Sequence, residues 1–363
     1  MSETTTPPRG VLLCNLGTPE APEPPQVRRY LRQFLSDPRV IDIPAPVRRA
    51  LLELVILPRR PKQSAHAYRK IWTPQGSPLL VHSLALRDAV RQAMPEAMVE
   101  LGMRYGEPAL DAAFERLCEA GCVEITVVPL YPQYASSSTG STLELLYRRA
   151  AARWHTPMLR VVPPFFDAPG FITAFAEVAR PILAEHAPEH VVMSFHGQPE
   201  RHCHKGDRSG THCLAKPDCC DAIVPINAQC YRAHCFATAR ALAAALALPD
   251  DRTSVVFQSR LGRTPWIRPF LDERLPQLRA QGVARVAVLC PSFVADCLET
   301  LEEIGMRAQD DWRAQGGESL VLVPSLNTSP AWLQALLALI RAQAGTVGAL
   351  AAAVGGGRSP MML

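Results

Sequence analysis

His190-Val191-Val192-Met193-Ser194-Phe195-His196-Gly197-Gln198-Pro199 reads as a strand running into a turn. Residues 190–195 form a nearly unbroken apolar run, as expected of a strand buried on both faces of a parallel sheet. Gly197 and Pro199 end the run and leave His196 at its carboxyl end. The same arrangement occurs near the start of the chain, where a run over 11–16 closes in Asn15-Leu16-Gly17-Thr18-Pro19. Leu16 occupies there the slot that His196 occupies in the second copy.

Two further landmarks recur in the same order. Arg104-Tyr105-Gly106-Glu107-Pro108 is answered by Arg260-Leu261-Gly262-Arg263-Thr264-Pro265, and Gly121…Pro129 by Gly282…Pro291, each about 160–180 residues later. The spacing predicts two equivalent halves. Strands are expected at 11–16, 99–105, 124–130 and 159–163, then at 190–195, 254–259, 284–289 and 319–323. Helices are expected at 25–35, 83–94, 109–120, 170–184, 232–246 and 298–315. This alternation predicts an α/β fold of two doubly wound, Rossmann-like halves, each with a four-stranded parallel sheet, around a central cleft. The halves are expected at 9–165 and 166–330, with a cysteine-rich insertion near 203–235. A C-terminal helix is expected at 331–345 and flexible ends at 1–8 and 346–363. Ligands of such folds sit off the carboxyl ends of the strands.

Composition narrows the class. The chain has 363 residues, 48% of them hydrophobic and 20% charged, enough to bury a sizeable core and too apolar for general disorder. A net charge of +4 with both signs interspersed does not favour a nucleic-acid partner. The start MSETTTPPRG lacks the apolar core of a signal peptide, and no apolar run is long enough to span a bilayer, so a cytosolic location is expected. The most apolar stretch, 331–354, is interrupted by Arg341, Gln343, Gly345 and Gly348 and reads as a surface helix running into a loose end. The 34 prolines are about twice the usual share, and many sit just past strand ends, where they would fix the loops lining the cleft.

Candidate chemistry clusters at those ends. His196 can serve as a base or a metal ligand near neutral pH. After the seventh strand comes Asp296-Cys297-Leu298-Glu299-Thr300-Leu301-Glu302-Glu303, which as a helix would place Asp296, Glu299 and Glu303 on one face. Three carboxylates there need a cation, a proton or an arginine, and no basic residue follows before Arg307. An acidic first turn with Asp296 as N-cap is the simpler alternative. The hydroxyl-rich loop 131–142 suits an anionic group or a helix cap. Arg104 suits a ligand carboxylate or a structural ion pair.

Eleven cysteines are present, and six fall between Cys203 and Cys235. In a reducing compartment such a group points to metal rather than disulfide. No C-x-x-C pair occurs, so a zinc ribbon or a dithiol redox site is a poor match, whereas four thiolates at irregular spacing still suit zinc or an iron–sulfur cluster.

Taken together, these stretches resemble the ferrochelatases, enzymes that insert ferrous iron into a porphyrin to make haem. The resemblance runs from about residue 10 to 341. It rests on Ser194-Phe195-His196-Gly197-Gln198-Pro199, on Phe257-Gln258-Ser259-Arg260 with Pro265-Trp266, and on the Asp296–Glu303 motif, supported by Asn15-Leu16-Gly17-Thr18-Pro19 and Tyr131-Pro132-Gln133-Tyr134. It implies the chelatase-like fold, with Fe2+ and protoporphyrin IX as substrates and haem as product. It implies His196 and Glu299 as catalytic and iron-contacting residues, and Asp296 and Glu303 as a proton or metal relay. Leu16, Arg104, Tyr105, Tyr134, Ser137 and Trp266 are implied as porphyrin contacts.

Some bacterial ferrochelatases carry a [2Fe–2S] cluster on an internal cysteine segment. That pattern implies Cys213, Cys219, Cys220 and Cys230 as ligands here, with Cys235 and then Cys203 in reserve, on an insertion over 208–229. The animal-type C-terminal cluster is excluded by the cysteine-free tail and by Ser136 at the place of its upstream cysteine. Cys14, Cys118, Cys122, Cys290 and Cys297 are expected as small core or wall residues. The poor solubility of a porphyrin leaves room for peripheral membrane contact, with no dedicated anchor in the chain. A chelatase for coproporphyrin or another tetrapyrrole is the nearest rival, and a non-catalytic haem or metal sensor on the same fold is a rival of another class. The sequence leaves oligomeric state open.

Overall fold

A computed structural model describes residues 7–260 and 264–343. Eight strands lie within two residues of the expected bounds: β1 Arg9–Gly17, β2 Ala97–Tyr105, β3 Glu124–Pro129, β4 Met158–Val161, β5 His190–His196, β6 Thr253–Gln258, β7 Arg285–Leu289 and β8 Ser319–Leu322. They form two four-stranded sheets, ordered β2-β1-β3-β4 and β6-β5-β7-β8. All pairings are parallel. The two orders are the same order repeated, which is the structural form of the duplication.

The helices are α1 Pro24–Ser36, α2 Ala45–Ala50, α3 Arg60–Ile71, α4 Pro78–Ala93, α5 Leu110–Glu119, α6 Ser141–Ala151, α7 Pro169–His186, α8 Glu200–Gly206, α9 Tyr231–Ala245, α10 Leu271–Ala280, α11 Leu298–Leu301, α12 Gln309–Ala314 and α13 Pro330–Gln343. Three π-helical stretches, Leu51–Ile56, Ser136–Gly140 and Glu303–Ala308, extend α2, precede α6 and separate α11 from α12. The single helix expected over 298–315 is therefore broken by a π segment. Helix α4 starts five residues before its expected bound because Pro78 takes the first helical position, where its missing N–H costs nothing.

Side-chain alternation along the central strands builds the core. In β1, Leu12 and Cys14 face α5 and α6, whereas Val11 and Leu13 face a core that both halves share. In β5, Val192 faces α10 and α12, whereas Val191, Met193 and Phe195 enter the shared core. Phe171 and Phe175 of α7 fill that core together with Trp332, Leu336 and Ile340 of α13, all 2% exposed or less. The C-terminal helix is thus amphipathic, with one face built into the core, and is more than a surface appendage. Residues 1–6 and 344–363, which hold most of the expected loose ends, lie outside the described residues. Between the halves, buried Gln133 donates to Thr238 Oγ1 at 2.9 Å, and Asp42 is gripped by Arg201 and Lys205 of α8. No helix among the described residues is long and apolar enough to cross a membrane.

Candidate active site and cysteine centre

In each sheet the chain switches sides at the central strand, so a crevice opens at the carboxyl ends of β1 and β3 and of β5 and β7. His196 ends β5 at such a point. Its N–H donates to Ser292 Oγ at 3.3 Å, and its carbonyl accepts the Tyr231 hydroxyl at 2.8 Å. The ring Nδ1 lies 2.6 Å from the Gly197 carbonyl, which can only accept, so Nδ1 carries the proton and Nε2 holds the lone pair of the neutral ring. A Cβ on Gly197 would stand 2.8 Å from the Gln258 carbonyl oxygen and 3.2 Å from the Trp266 ring, so only glycine lets the turn close against that wall.

Gln258 links this histidine to the acidic segment. It pairs with His196 across β5 and β6. Its side-chain carbonyl accepts Ser194 Oγ at 2.6 Å, and its amide donates to the Glu299 main-chain carbonyl at 2.8 Å. The Glu299 side chain hydrogen-bonds the Cys297 thiol and points its charge at α1 and α3. Burial above all pushes the Tyr30 and Tyr68 hydroxyls well above the usual tyrosine range, and the Glu299 charge adds to it, for Tyr30 after that of Tyr68. Glu303 accepts the Ser259 N–H at 2.9 Å and the Ser259 hydroxyl.

The acidic motif differs from the expected stripe. Helix α11 begins only at Leu298, with Cys297 as N-cap: its N–H donates to Thr300 Oγ1 at 3.0 Å. Asp296 stands before the helix and is neither cap nor part of a helical face. Thr300 Oγ1 at 3.0 Å, the Ser325 N–H at 3.2 Å and Asn327 Nδ2 at 2.8 Å hold its carboxylate instead. From Glu303 onward the π turn replaces the 3.6-residue period. The missing positive partner comes from elsewhere: Arg60 of α3 feels both Glu299 and Glu303, and Arg307 lies 3.6 Å from Glu303. His82 of α4 feels the charge of Asp296, although burial lowers its pKa.

The other expected contacts fall into two groups. Leu16 is partly buried in an apolar wall drawn from both halves, with Phe34, Ile41, Ile56, Leu298 and Met306. Trp266 bridges Pro199 beside the His196 turn. Tyr134 and Ser137 are partly buried, Tyr134 with its N–H on His234 Nδ1 at 3.2 Å and Ser137 in the π turn. Arg104 and Tyr105 instead converge on Asp37: Arg104 Nη2 and the Tyr105 hydroxyl each lie 2.8 Å from Oδ2, and Ser141 Oγ lies at 2.5 Å. Tyr105 has no exposed surface. Burial works against Asp37 ionising, but hydrogen bonds from Ser141, the Arg39 N–H and Tyr105, with the charge of Arg104, hold its pKa below the ordinary carboxylate range. Of the hydroxyl loop, Ser136 is taken by Arg39 Nη1 at 2.8 Å and Ser141 by Asp37.

The cysteine segment is folded tightly. Asp207 accepts the N–H groups of Ser209, His212 and Cys213 at 2.8–2.9 Å. Asn227 Nδ2 donates to the Cys219 and Ala222 carbonyls, both at 2.9 Å. The sulfurs of Cys219 and Cys220 are 3.8 Å apart. Thiols of Cys203, Cys220 and Cys213 hydrogen-bond Cys230, the N-cap of α9, and lower its pKa in that order of effect for the first two. Cys235 is fully buried in the shared core and pairs with Tyr231. Cys14, Cys122, Cys290 and Cys297 are buried and Cys118 is half-buried. Among the described residues no group of three or more His, Cys, Asp or Glu forms a ready site for a metal ion.

Gln258, Ser292, Tyr231, Arg60 and His82 escaped sequence reasoning as site residues. Gln258 lies inside a quoted motif and could have been found there. Arg60 could not, because its partners are in the other half of the chain.

The family model described as Ferrochelatase matches residues 8–344. A curated protein of Azotobacter vinelandii named Ferrochelatase is 51% identical over 332 residues, covering 91% of this chain and 98% of its own. One of Coxiella burnetii with the same name is 48% identical over 328 residues, covering 90% and 91%. Among solved structures, SirB from Bacillus subtilis with Fe3+ aligns with a TM-score of 0.54 at 13% identity, over 94% of this chain and 98% of that one.

Proposed function

Because the chain belongs to the ferrochelatase family, we propose that it is a lyase that inserts Fe2+ into protoporphyrin IX to give protohaem, the last step of haem formation. Two pyrrole N–H protons leave as the metal enters, and no electron is transferred. The reaction therefore needs a proton acceptor on one face of the ring and a route for the cation. His196 is the acceptor in this reading: it stands at the carboxyl end of β5, and the hold of the Gly197 carbonyl on Nδ1 leaves Nε2 as the ring nitrogen able to take a proton. Glu299, with Asp296 and Glu303 behind it, carries protons or iron. The observation that carries this reading is the Gln258 link, which ties the His196 strand to the Glu299 helix through one side chain.

Leu16, Tyr134, Ser137 and Trp266 form the porphyrin walls in this reading. Arg104 and Tyr105 serve that wall from behind, through Asp37. The division into halves at 9–165 and 166–330 belongs to the same reading and is supported by the repeated strand order. So does a cytoplasmic protein with peripheral membrane contact. Supporting that contact, Val47, Leu54 and Val55 are 55%, 76% and 59% exposed beside Arg48 and Arg49.

A [2Fe–2S] cluster fits the cysteine centre by the chemistry of its donors: the thiols of Cys203, Cys220 and Cys213 converge on Cys230, Cys219 lies 3.8 Å from Cys220, and N–H groups of Gln198, Leu214 and Arg232 are aimed at the sulfurs of Cys203, Cys219 and Cys220. Cys213, Cys219, Cys220 and Cys230 would hold it, with Cys235 and Cys203 in reserve. When bound, the cluster supplies a cross-link and negative charge, not a step of iron insertion. Turnover with protoporphyrin and coproporphyrin, run beside iron and sulfide analysis of anaerobically purified protein, tests both parts. Preference for coproporphyrin would overturn the substrate; a colourless protein with stoichiometric zinc would overturn the cluster.

A further inference from the structure

Arg232, in the first turn of α9, holds two things at once. Its Nη1 lies 3.1 Å from Cys220 Sγ and 3.8 Å from Cys219 Sγ. Its Nε and Nη2 both reach the Arg268 carbonyl at 3.4 Å, and its guanidinium stacks on the Phe236 ring at 4.6 Å, which fixes the plane of the fork. One residue earlier, the Ile267 N–H donates to the Gln198 carbonyl at 3.0 Å, and the Pro265 carbonyl accepts the Glu200 N–H at 3.0 Å. Segment 264–270 thus braces the turn that follows His196, and Arg232 braces the segment against the vicinal cysteines. Two turns along α9, Arg240 Nη1 donates to the Cys220 carbonyl at 3.0 Å, so α9 grips Cys220 at both sulfur and backbone.

We infer that Arg232 is a positioning residue of the cysteine centre: it offsets the negative charge of the thiolate-bound cluster and couples the presence of that cluster to the order of the 264–270 segment beside His196. This rests on the [2Fe–2S] reading above. Four thiolates and a cluster carry net negative charge, which grows by one unit when the cluster takes up one electron. A guanidinium hydrogen-bonded to a ligand sulfur favours the more negative state and raises the reduction potential. The fork geometry explains why an arginine, rather than a lysine, can also hold the Arg268 carbonyl.

The test uses full-length protein purified anaerobically as wild type, Arg232→Gln and Arg232→Lys. Iron and sulfide are measured, the midpoint is read by dye-mediated titration with dithionite as electron donor, and hydrogen exchange of peptides covering 197–199 and 264–270 is compared with and without the cluster. The expected result is a midpoint shifted negative in Arg232→Gln and near wild type in Arg232→Lys. Cluster-dependent protection of 264–270 should be present in wild type and lost in Arg232→Gln. If Arg232→Gln does not retain the cluster while Arg232→Lys does, the same charge requirement is read as occupancy. An unchanged midpoint with unchanged protection in Arg232→Gln, or loss of the cluster in both variants, would overturn the inference. Wild-type protein without iron and sulfide would instead overturn the cluster reading itself.

Discussion

The side-chain amide of Gln258 donates to the main-chain carbonyl of Glu299 at 2.8 Å. The residue paired with His196 in the sheet therefore also holds the first turn of the acidic helix. Its other end accepts Ser194 Oγ at 2.6 Å, so both ends of a buried amide are used. Gln258→Glu keeps the acceptor and loses the donor, leaving the Glu299 carbonyl facing a carboxylate. The expected cost is about 1–3 kcal/mol of stability, with kcat falling more than KM changes. Thermal melts and steady-state insertion assays check it; an unchanged kcat would separate Glu299 from this support.

Gly17 is expected to be irreplaceable. It has φ +116°, and a Cβ there would lie 1.7 Å from the Tyr105 carbonyl oxygen across the β1–β2 pair. Gly17→Ala should lose roughly 3 kcal/mol or more through strain and overlap together. Gly76→Ala has a similar φ of +121° but open space around the added carbon, so it should lose less. Urea unfolding of the pair measures the difference.

Breaking the Asp37 network should be a stability event more than a binding event. Arg104 and Asp37 side chains are 14% and 5% exposed, and Asp37 also holds Tyr105 and Ser141. Arg104→Met leaves a buried carboxylate without its cation, at a cost of about 3–5 kcal/mol. A large fall in melting temperature with porphyrin affinity retained is the expected pair of results. Lost affinity at wild-type stability would return Arg104 to the ring as a direct propionate contact.

His190 gives the fold a pH dependence distinct from catalysis. Burial first, then the charges of Arg274 and Arg252, push its pKa down to about 4, while its Nε2 pairs with Ser254 Oγ at 2.7 Å. Its pKa in the unfolded chain is about 6.5. The unfolded state therefore binds more protons between these values, so stability contributed by the neutral ring is present above about 6.5 and falls as the pH drops toward 4. Denaturation midpoints of wild type and His190→Gln from pH 7.5 to 4.5, taken as the usual experimental range, should converge on acidification. Parallel curves would count against it.

The fold was legible because its strands announce themselves. β1 and β5 are short apolar runs closed by glycine and proline, β3 and β7 follow a glycine and run to a proline, and that punctuation repeats in both halves. Helices α2 and α3 were not legible, since their apolar positions serve a wall assembled from both halves and part of that region is π-helical. The site was readable one residue at a time and not as a geometry. His196 could be placed at a strand end, but periodicity misplaced Asp296, because Cys297 and Thr300 start the helix one residue after it. The approach of Arg60 to Glu299 joins opposite halves of the chain and leaves no trace in local spacing.

The central claim is that His196 Nε2 takes the proton a pyrrole nitrogen gives up as iron enters. Its direct test is anaerobic Fe2+ insertion into protoporphyrin IX by wild type and His196→Ala, with porphyrin binding followed by fluorescence on the same samples. The account predicts protohaem from wild type, and from the folded, porphyrin-binding variant a rate lower by about a hundredfold or more; a variant that binds porphyrin and turns over at the wild-type rate would contradict it.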